Sequence, residues 1–302
     1  MDLLYLYGYT PTKWLNILAI ICFGVCTVVN LIQIVQYRSG IPVLSFIGSL
    51  GEVIGWIARM YSASHITSTT ITSYSIQYVT IMAFPVFYTA QMYITLKHLI
   101  IQYGPKYAFL RPRLYGLVFI INDVISMIIQ FAGGGMAGGA NGNAHLERIG
   151  SDIMLVGICF QLVMVLAFTA SGVDFWYRYR HDKPYRTDDA DNLENPKLHL
   201  TESKRRTISA HALWIASILV IIRSIYRVVE LAQGWSGKII KTEAYLGIFD
   251  FLPMFLTAVM LIPSVWTIVR GDEAVYRIND LGDQKLAETL SAEKTEKTAD
   301  SD

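Results

Sequence analysis

Residues 113–133 read RLYGLVFIINDVISMIIQFAG. After the flanking Arg113, a single charge, Asp123, interrupts this apolar run. A helix needs roughly 20 such residues to cross a hydrocarbon core about 30 Å thick. The run is continuous and does not alternate, so it reads as a membrane helix and not as a barrel strand. An acid at mid-membrane costs roughly 2.5–3.5 kcal/mol on insertion scales, so Asp123 needs a physical reason to be there.

Six further runs of this kind occur, at 14–36, 42–61, 74–101, 152–177, 207–231 and 243–269. The expected fold is therefore all-α, a polytopic bundle of seven transmembrane helices spanning residues 1–270. Run 42–61 is the weakest, with Glu52, Arg59 and three glycines, but Gly51-x-x-x-Gly55 suits close helix packing. Of the 302 residues, 53% are hydrophobic and 16% charged, against about 25% charged in soluble domains. That excludes a disordered chain, a nucleic-acid binder or an ordinary soluble enzyme as a first reading. A net charge of +1 supplies no field to steer an anionic partner.

Orientation follows from Lys and Arg. With the N-terminus outside, 18 of the 25 fall on the cytosolic side, 4 outside and 3 within spans. The reading is N-outside and C-inside, with a polar cytosolic loop at 178–206. Residues 271–302 hold nine acidic and four basic residues and read as a solvated, disordered cytosolic tail. The first run lacks a basic leader and is long enough to span, so it reads as a membrane helix and not as a signal peptide. Cys22, Cys26 and Cys159 sit in apolar runs without metal-ligand spacing and read as small core residues. Trp14, Trp56, Trp176, Trp235 and Trp266 read as an interfacial belt.

The intramembrane charges carry the functional signal. Glu52 and Arg59, Asp123 and Gln130, Arg223 and Glu230, Glu243 and Asp250 are each seven residues apart, close to two helical turns. Four helices thus carry a polar stripe each, and such stripes should face one another and not lipid. With Arg227 they converge in the outer half of the bundle, which suggests a hydrated pocket opening outward. Three positive residues meet five negative ones there. The two surplus acids are either protonated, wetted at the interface, or balanced by a cationic ligand such as an amphiphile with an amine headgroup. The same charges could instead lock helices together, and Asp174 and Gln161 are weaker candidates. His98 and His211 lie near inner interfaces and read as anchors.

Known motifs exclude several classes. Gly133-Gly134-Gly135 lacks the Lys-Ser/Thr of a phosphate loop, and no nucleotide-binding domain follows. No catalytic constellation, cofactor motif or metal spacing stands out, so the reading is not an enzyme. Span 7 lacks a retinal lysine. The inner end of span 3, Leu96-Lys97-His98, lacks the signature of G-protein-coupled receptors, and span 7 lacks their Asn-Pro-x-x-Tyr turn.

Four stretches resemble a known family. They are Gly51-Glu52-Val53-Ile54-Gly55-Trp56-Ile57-Ala58-Arg59; Asn122-Asp123 through Ser126 to Gln130 and Gly133-Gly134-Gly135; Gly157 with Gln161; and Arg223-Ser224-Ile225-Tyr226-Arg227-Val228-Val229-Glu230 followed by Gly234, Glu243, Tyr245 and Asp250. Together they are similar to the fungal lipid-translocating exporters, the resistance-to-aminocholesterol seven-span proteins, over roughly residues 10–270. The chain departs at Leu246-Gly247-Ile248-Phe249, where the family pattern is more aromatic. The resemblance implies a plasma-membrane or vacuolar protein, with the plasma membrane the expected location, that exports or flips sphingoid long-chain bases and confers resistance to toxic amphiphiles. Its alternatives are a seven-span lipid sensor signalling through loop 5 and the tail, or haem and porphyrin transport. The expected partners are membrane lipids or small amphiphiles and not nucleic acid. The expected substrate-binding set is Glu52, Arg59, Asp123, Gln130, Arg223, Arg227, Glu230, Glu243 and Asp250. The sequence sets no oligomeric state.

Overall fold

The architecture comes from a computed structural model, which describes residues 9, 11–64, 71–110, 112–139, 143–185, 204–234, 237 and 239–265. Its helices are α1 (Lys13–Tyr37), α2 (Ile41–Ser64), α3 (Ile71–Ala83), α4 (Pro85–Tyr103), α5 (Pro112–Gly138), α6 (Ala144–Arg180) and α7 (Lys204–Ala232). The last, α8 (Glu243–Val265), contains a π-helical turn at Gly247–Phe251. There are no strands among the described residues. Seven stretches are long and apolar enough to cross a membrane, with α3 and α4 together making the third. The all-α seven-span expectation holds. Most of loop 5, the end of span 7 past Val265, the tail, Trp235 and Trp266 lie outside the described residues.

The helices turn apolar residues away from the bundle and bury polar groups among the apolar ones of its core. On α1, Ile21, Val25, Val28, Ile32 and Val35 are exposed, while Asn16, Asn30 and Gln33 are buried. Lipid solvates the first set, and the second finds partners only inside. Gln33 donates to the Ile262 carbonyl of α8 at 3.1 Å, and Gln91 of α4 donates to Leu261 at 3.3 Å. These bonds seat α8 against α1 and α4. Phe23, Trp56, Phe251 and Phe255 fill the contact with edge-to-face rings.

Small residues let the helices approach. A Cβ on Gly51 would meet the Phe84 ring at 1.9 Å, and one on Gly55 would meet Thr80 Oγ1 at 2.5 Å. The Gly51-x-x-x-Gly55 expectation is thus met by the α2–α3 crossing. At Gly133 the obstacle is backbone, with the Gly150 carbonyl oxygen and Met154 nitrogen both 2.6 Å from a Cβ. This contact explains why α5 runs through Gly133-Gly134-Gly135 to Gly138, beyond the expected end at 133. Helix α6 also starts earlier than residue 152, because Asn143 caps it by accepting from the His145 and Leu146 amides.

The ends are stitched in two groups. Thr12, before α1, bonds Glu243 at the start of α8, and Glu243 pairs with Arg59 near the end of α2. At the other end the Tyr185 amide donates to the Lys106 carbonyl, and the Tyr107 hydroxyl donates to Asp182. Burial, followed by the Asp182 bond, raises the Tyr107 phenol above its ordinary pKa. Starts of odd spans therefore sit with ends of even spans, as alternating crossings require.

Candidate functional site

The site is built in two storeys on α2, α7 and α8. In the first storey, the buried Arg59 donates to Glu243 Oε1 at 2.9 Å, to Asn16 Oδ1 at 3.1 Å and to the Tyr9 hydroxyl at 2.8 Å. Thr12 completes it by donating to Glu243 from its amide and its hydroxyl. Burial raises the Tyr9 phenol above its ordinary pKa, against the opposing pull of Arg59. It therefore remains a neutral hydroxyl.

The second storey lies two turns along α2, toward its N-terminus. Arg227 donates from Nε to Asp250 Oδ1 at 3.0 Å, from Nη2 to Asp250 Oδ2, and from Nη1 to Glu230 Oε2 at 2.8 Å. This fork geometry is what a guanidinium offers and an ammonium does not. The Tyr226 hydroxyl donates to Glu230 Oε1 at 2.8 Å. Arg223 Nε stands 2.8 Å from Asp250 Oδ1 but is not aligned for a hydrogen bond, so this contact is an ion pair only. Arg223 Nη2 donates instead to the Ile81 carbonyl at 2.9 Å. Pro85 explains that acceptor. It has no N–H to return to the residue four positions earlier, which leaves the Ile81 carbonyl open to Arg223. The proline thus places a backbone acceptor in the cluster.

Glu52 completes this storey differently. It is 2% exposed, and its Oε2 accepts from Trp56 Nε1 at 3.2 Å. Its Oε1 has no hydrogen-bond partner among the described residues. The charges of Asp250, Arg223 and Arg227 act on it, yet no arginine lies within ion-pair distance of it among the described residues. Trp56, expected in an interfacial belt, is fully buried here. Its position four residues after Glu52 was the available signal, because i and i+4 share a helix face.

The stripe of α5 does not join the other three. Asp123 Oδ2 contacts the Thr89 hydroxyl at 2.6 Å and the Tyr93 hydroxyl at 2.9 Å, both on α4. Gln130 donates to Gln161 of α6 at 3.0 Å, with Gly157 giving it room. The expectation that four stripes meet is corrected to three. Helix α5 packs between α4 and α6, so its polar face finds those neighbours first. The surplus of two acids counted in the sequence now has addresses. Glu243 takes Arg59, Asp250 and Glu230 take Arg223 and Arg227, and Glu52 and Asp123 have no ion pair among the described residues. Asp174 pairs locally with Arg178 and lies apart from both groups. No group of three or more His, Cys, Asp or Glu side chains that could hold a metal occurs among the described residues.

Seven apolar spans with polar groups buried between them define an integral membrane protein. Residues 45–271 match the family described as RTA1 like protein, and the chain belongs to that family, in keeping with the motifs at Glu52, Asp123, Gln161 and Arg223. Among its relatives in Saccharomyces cerevisiae, the sphingoid long-chain base transporter RSB1 is 24% identical over 274 residues, covering 84% of this chain and 71% of that one. Protein RTM1 is 30% identical over 218 residues, covering 72% of this chain and 64% of that one. Protoporphyrin uptake protein 1 is 25% identical over 291 residues, covering 84% and 89%. No solved structure matches.

Proposed function

We propose that this protein moves a long-chain amine, a sphingoid base, across or out of the bilayer without hydrolysing ATP, and that Glu52 receives the ammonium. The observation that carries this reading is the bare Glu52 Oε1, a buried acid beside paired charges with no cation of its own among the described residues. A primary ammonium has three donors and a positive charge, which is what that oxygen lacks. The charges of Asp250, Arg223 and Arg227 act on it, and the Arg59–Glu243 pair lies two turns further along α2. The relative named as a sphingoid base transporter supports the substrate class. The relative named for protoporphyrin uptake suggests a dicarboxylate instead. The arginines of the cluster already hold carboxylates or a carbonyl, which favours the amine. The Lys and Arg distribution supports an N-outside orientation, and the plasma membrane is the proposed location.

The test is flux of fluorescent phytosphingosine in vesicles containing the purified full-length chain, with its N-acylated form as the uncharged control. The wild type should move the free base and not the amide. Glu52→Gln should slow it about tenfold or more, since a bond to a charged group contributes about 1.5–3 kcal/mol. Flux equal to that of empty vesicles would remove the transport reading. Flux unchanged in a folded Glu52→Gln would remove the site.

A further inference from the structure

Asp123 belongs to neither storey of the cluster, and its contacts can be counted proton by proton. The Thr89 hydroxyl is 2.6 Å from Asp123 Oδ2 and 2.9 Å from the Val86 carbonyl oxygen, and both contacts have hydrogen-bond geometry. A threonine hydroxyl carries one proton. Donation to a carbonyl in the preceding turn is the usual bond of a threonine inside a helix. If Thr89 spends its proton on Val86, the shorter contact needs a proton from the other side. The Tyr93 hydroxyl donates to the same Oδ2, and Oδ1 has no partner among the described residues. A neutral carboxyl satisfies every contact. Oδ2–H donates to Thr89, Thr89 donates to Val86, Tyr93 donates to Oδ2, and Oδ1 is the bare carbonyl. An ionised carboxylate leaves one of the two threonine contacts without a hydrogen.

The surroundings agree. Asp123 is 1% exposed, and no cation lies within ion-pair distance among the described residues. Of the helices packed on α5, α4 turns Tyr93 and Thr89 toward it and carries Lys97 one turn past Tyr93, outside ion-pair distance of Asp123. Helix α6 packs Phe168 against the Tyr93 ring, and its one titratable side chain between Asp152 and Asp174 is Cys159. On α5 itself, Asp123 is the one titratable residue between Tyr115 and Gly138.

We propose that Asp123 is a proton-binding site: its carboxyl is neutral while α4 and α5 are packed as here, and it releases the proton to water when that contact opens. The proton is the only species exchanged, with CO₂H becoming CO₂⁻ and H⁺. The site stands whether or not Glu52 holds an amine. If both hold, the protein has a proton site on one helix pair and a substrate site on another, sharing α4 as the wall between them.

The experiment is infrared titration of the full-length chain in phosphatidylcholine vesicles, with aspartate labelled by carbon-13 at the side-chain carboxyl. The expected result is a protonated-acid carbonyl band at neutral pH that shifts with the label and fades as pH rises. Tyr93→Phe should shift that band, Asp123→Asn should remove it, and Glu52→Gln should leave it in place. Absence of a label-sensitive acid band in the wild type at neutral and mildly acidic pH overturns the proposal, and no variant needs to fold for that outcome. A band that survives Asp123→Asn at full height overturns it as well.

Discussion

Asp250 and Asp123 are both 1% exposed and both sit in membrane helices, yet Asp250 faces two guanidiniums and Asp123 faces two hydroxyls. The bilayer interior admits a carboxyl in two ways, as an anion held by fixed cations or as a neutral acid held by hydroxyls. The α2–α7–α8 cluster takes the first course and the α4–α5 contact the second. A charge-for-charge network resists change, because removing one member strands its partners. A neutral acid among hydroxyls has no partner to strand.

Arg227→Met should test that distinction most severely. It leaves Glu230 and half of Asp250 uncompensated in the membrane and should lower stability by about 3–5 kcal/mol, read as unfolding in mixed detergent micelles. Next come the two isosteric changes. Asp250→Asn should cost about 3 kcal/mol, since two guanidiniums then share too few anions. Asp123→Asn should cost under about 1.5 kcal/mol, because a neutral amide replaces a neutral acid. Equal losses in the same unfolding assay would erase the contrast. Gly133→Ala should cost about 1–3 kcal/mol by pressing a methyl on the α6 backbone, whereas Gly24→Ala, with nothing within 4 Å, should be neutral or slightly stabilising. The smallest effect is expected from Asp174→Ala, which breaks a half-exposed pair with Arg178 and should change stability by less than about 1 kcal/mol.

Much of this was readable in the chain. Apolar runs of about 20 residues gave the seven spans, and the seven-residue spacing put Glu52 with Arg59, and Arg223 with Glu230, on common faces. Periodicity assigns a face but not a neighbour, so it could not show that Asp123 turns to α4 and away from Asp250. Thr89 and Tyr93 were missed because hydroxyls are common in membrane helices and carry no charge to mark them. Asn16 and Tyr9 escaped for the same reason. Pro85 held a usable signal, since a proline always frees the carbonyl four residues earlier, but the arginine that takes it lies on another helix. Gly133 was judged by its neighbours in sequence, and only the crossing with Gly150 shows why a helix continues through three glycines.

The wide turn at Gly247–Phe251 has a consequence for how α8 tolerates edits in length. A π turn holds one residue more than an ordinary turn. Deleting Ile248 would tighten the coil to its regular pitch while Glu243 above and Met254 below keep their places. Deleting a residue farther down, at Val259, would swing everything after it by about 100° and turn its inner face to lipid. That stretch of the last helix carries slack, and the rest of it runs taut.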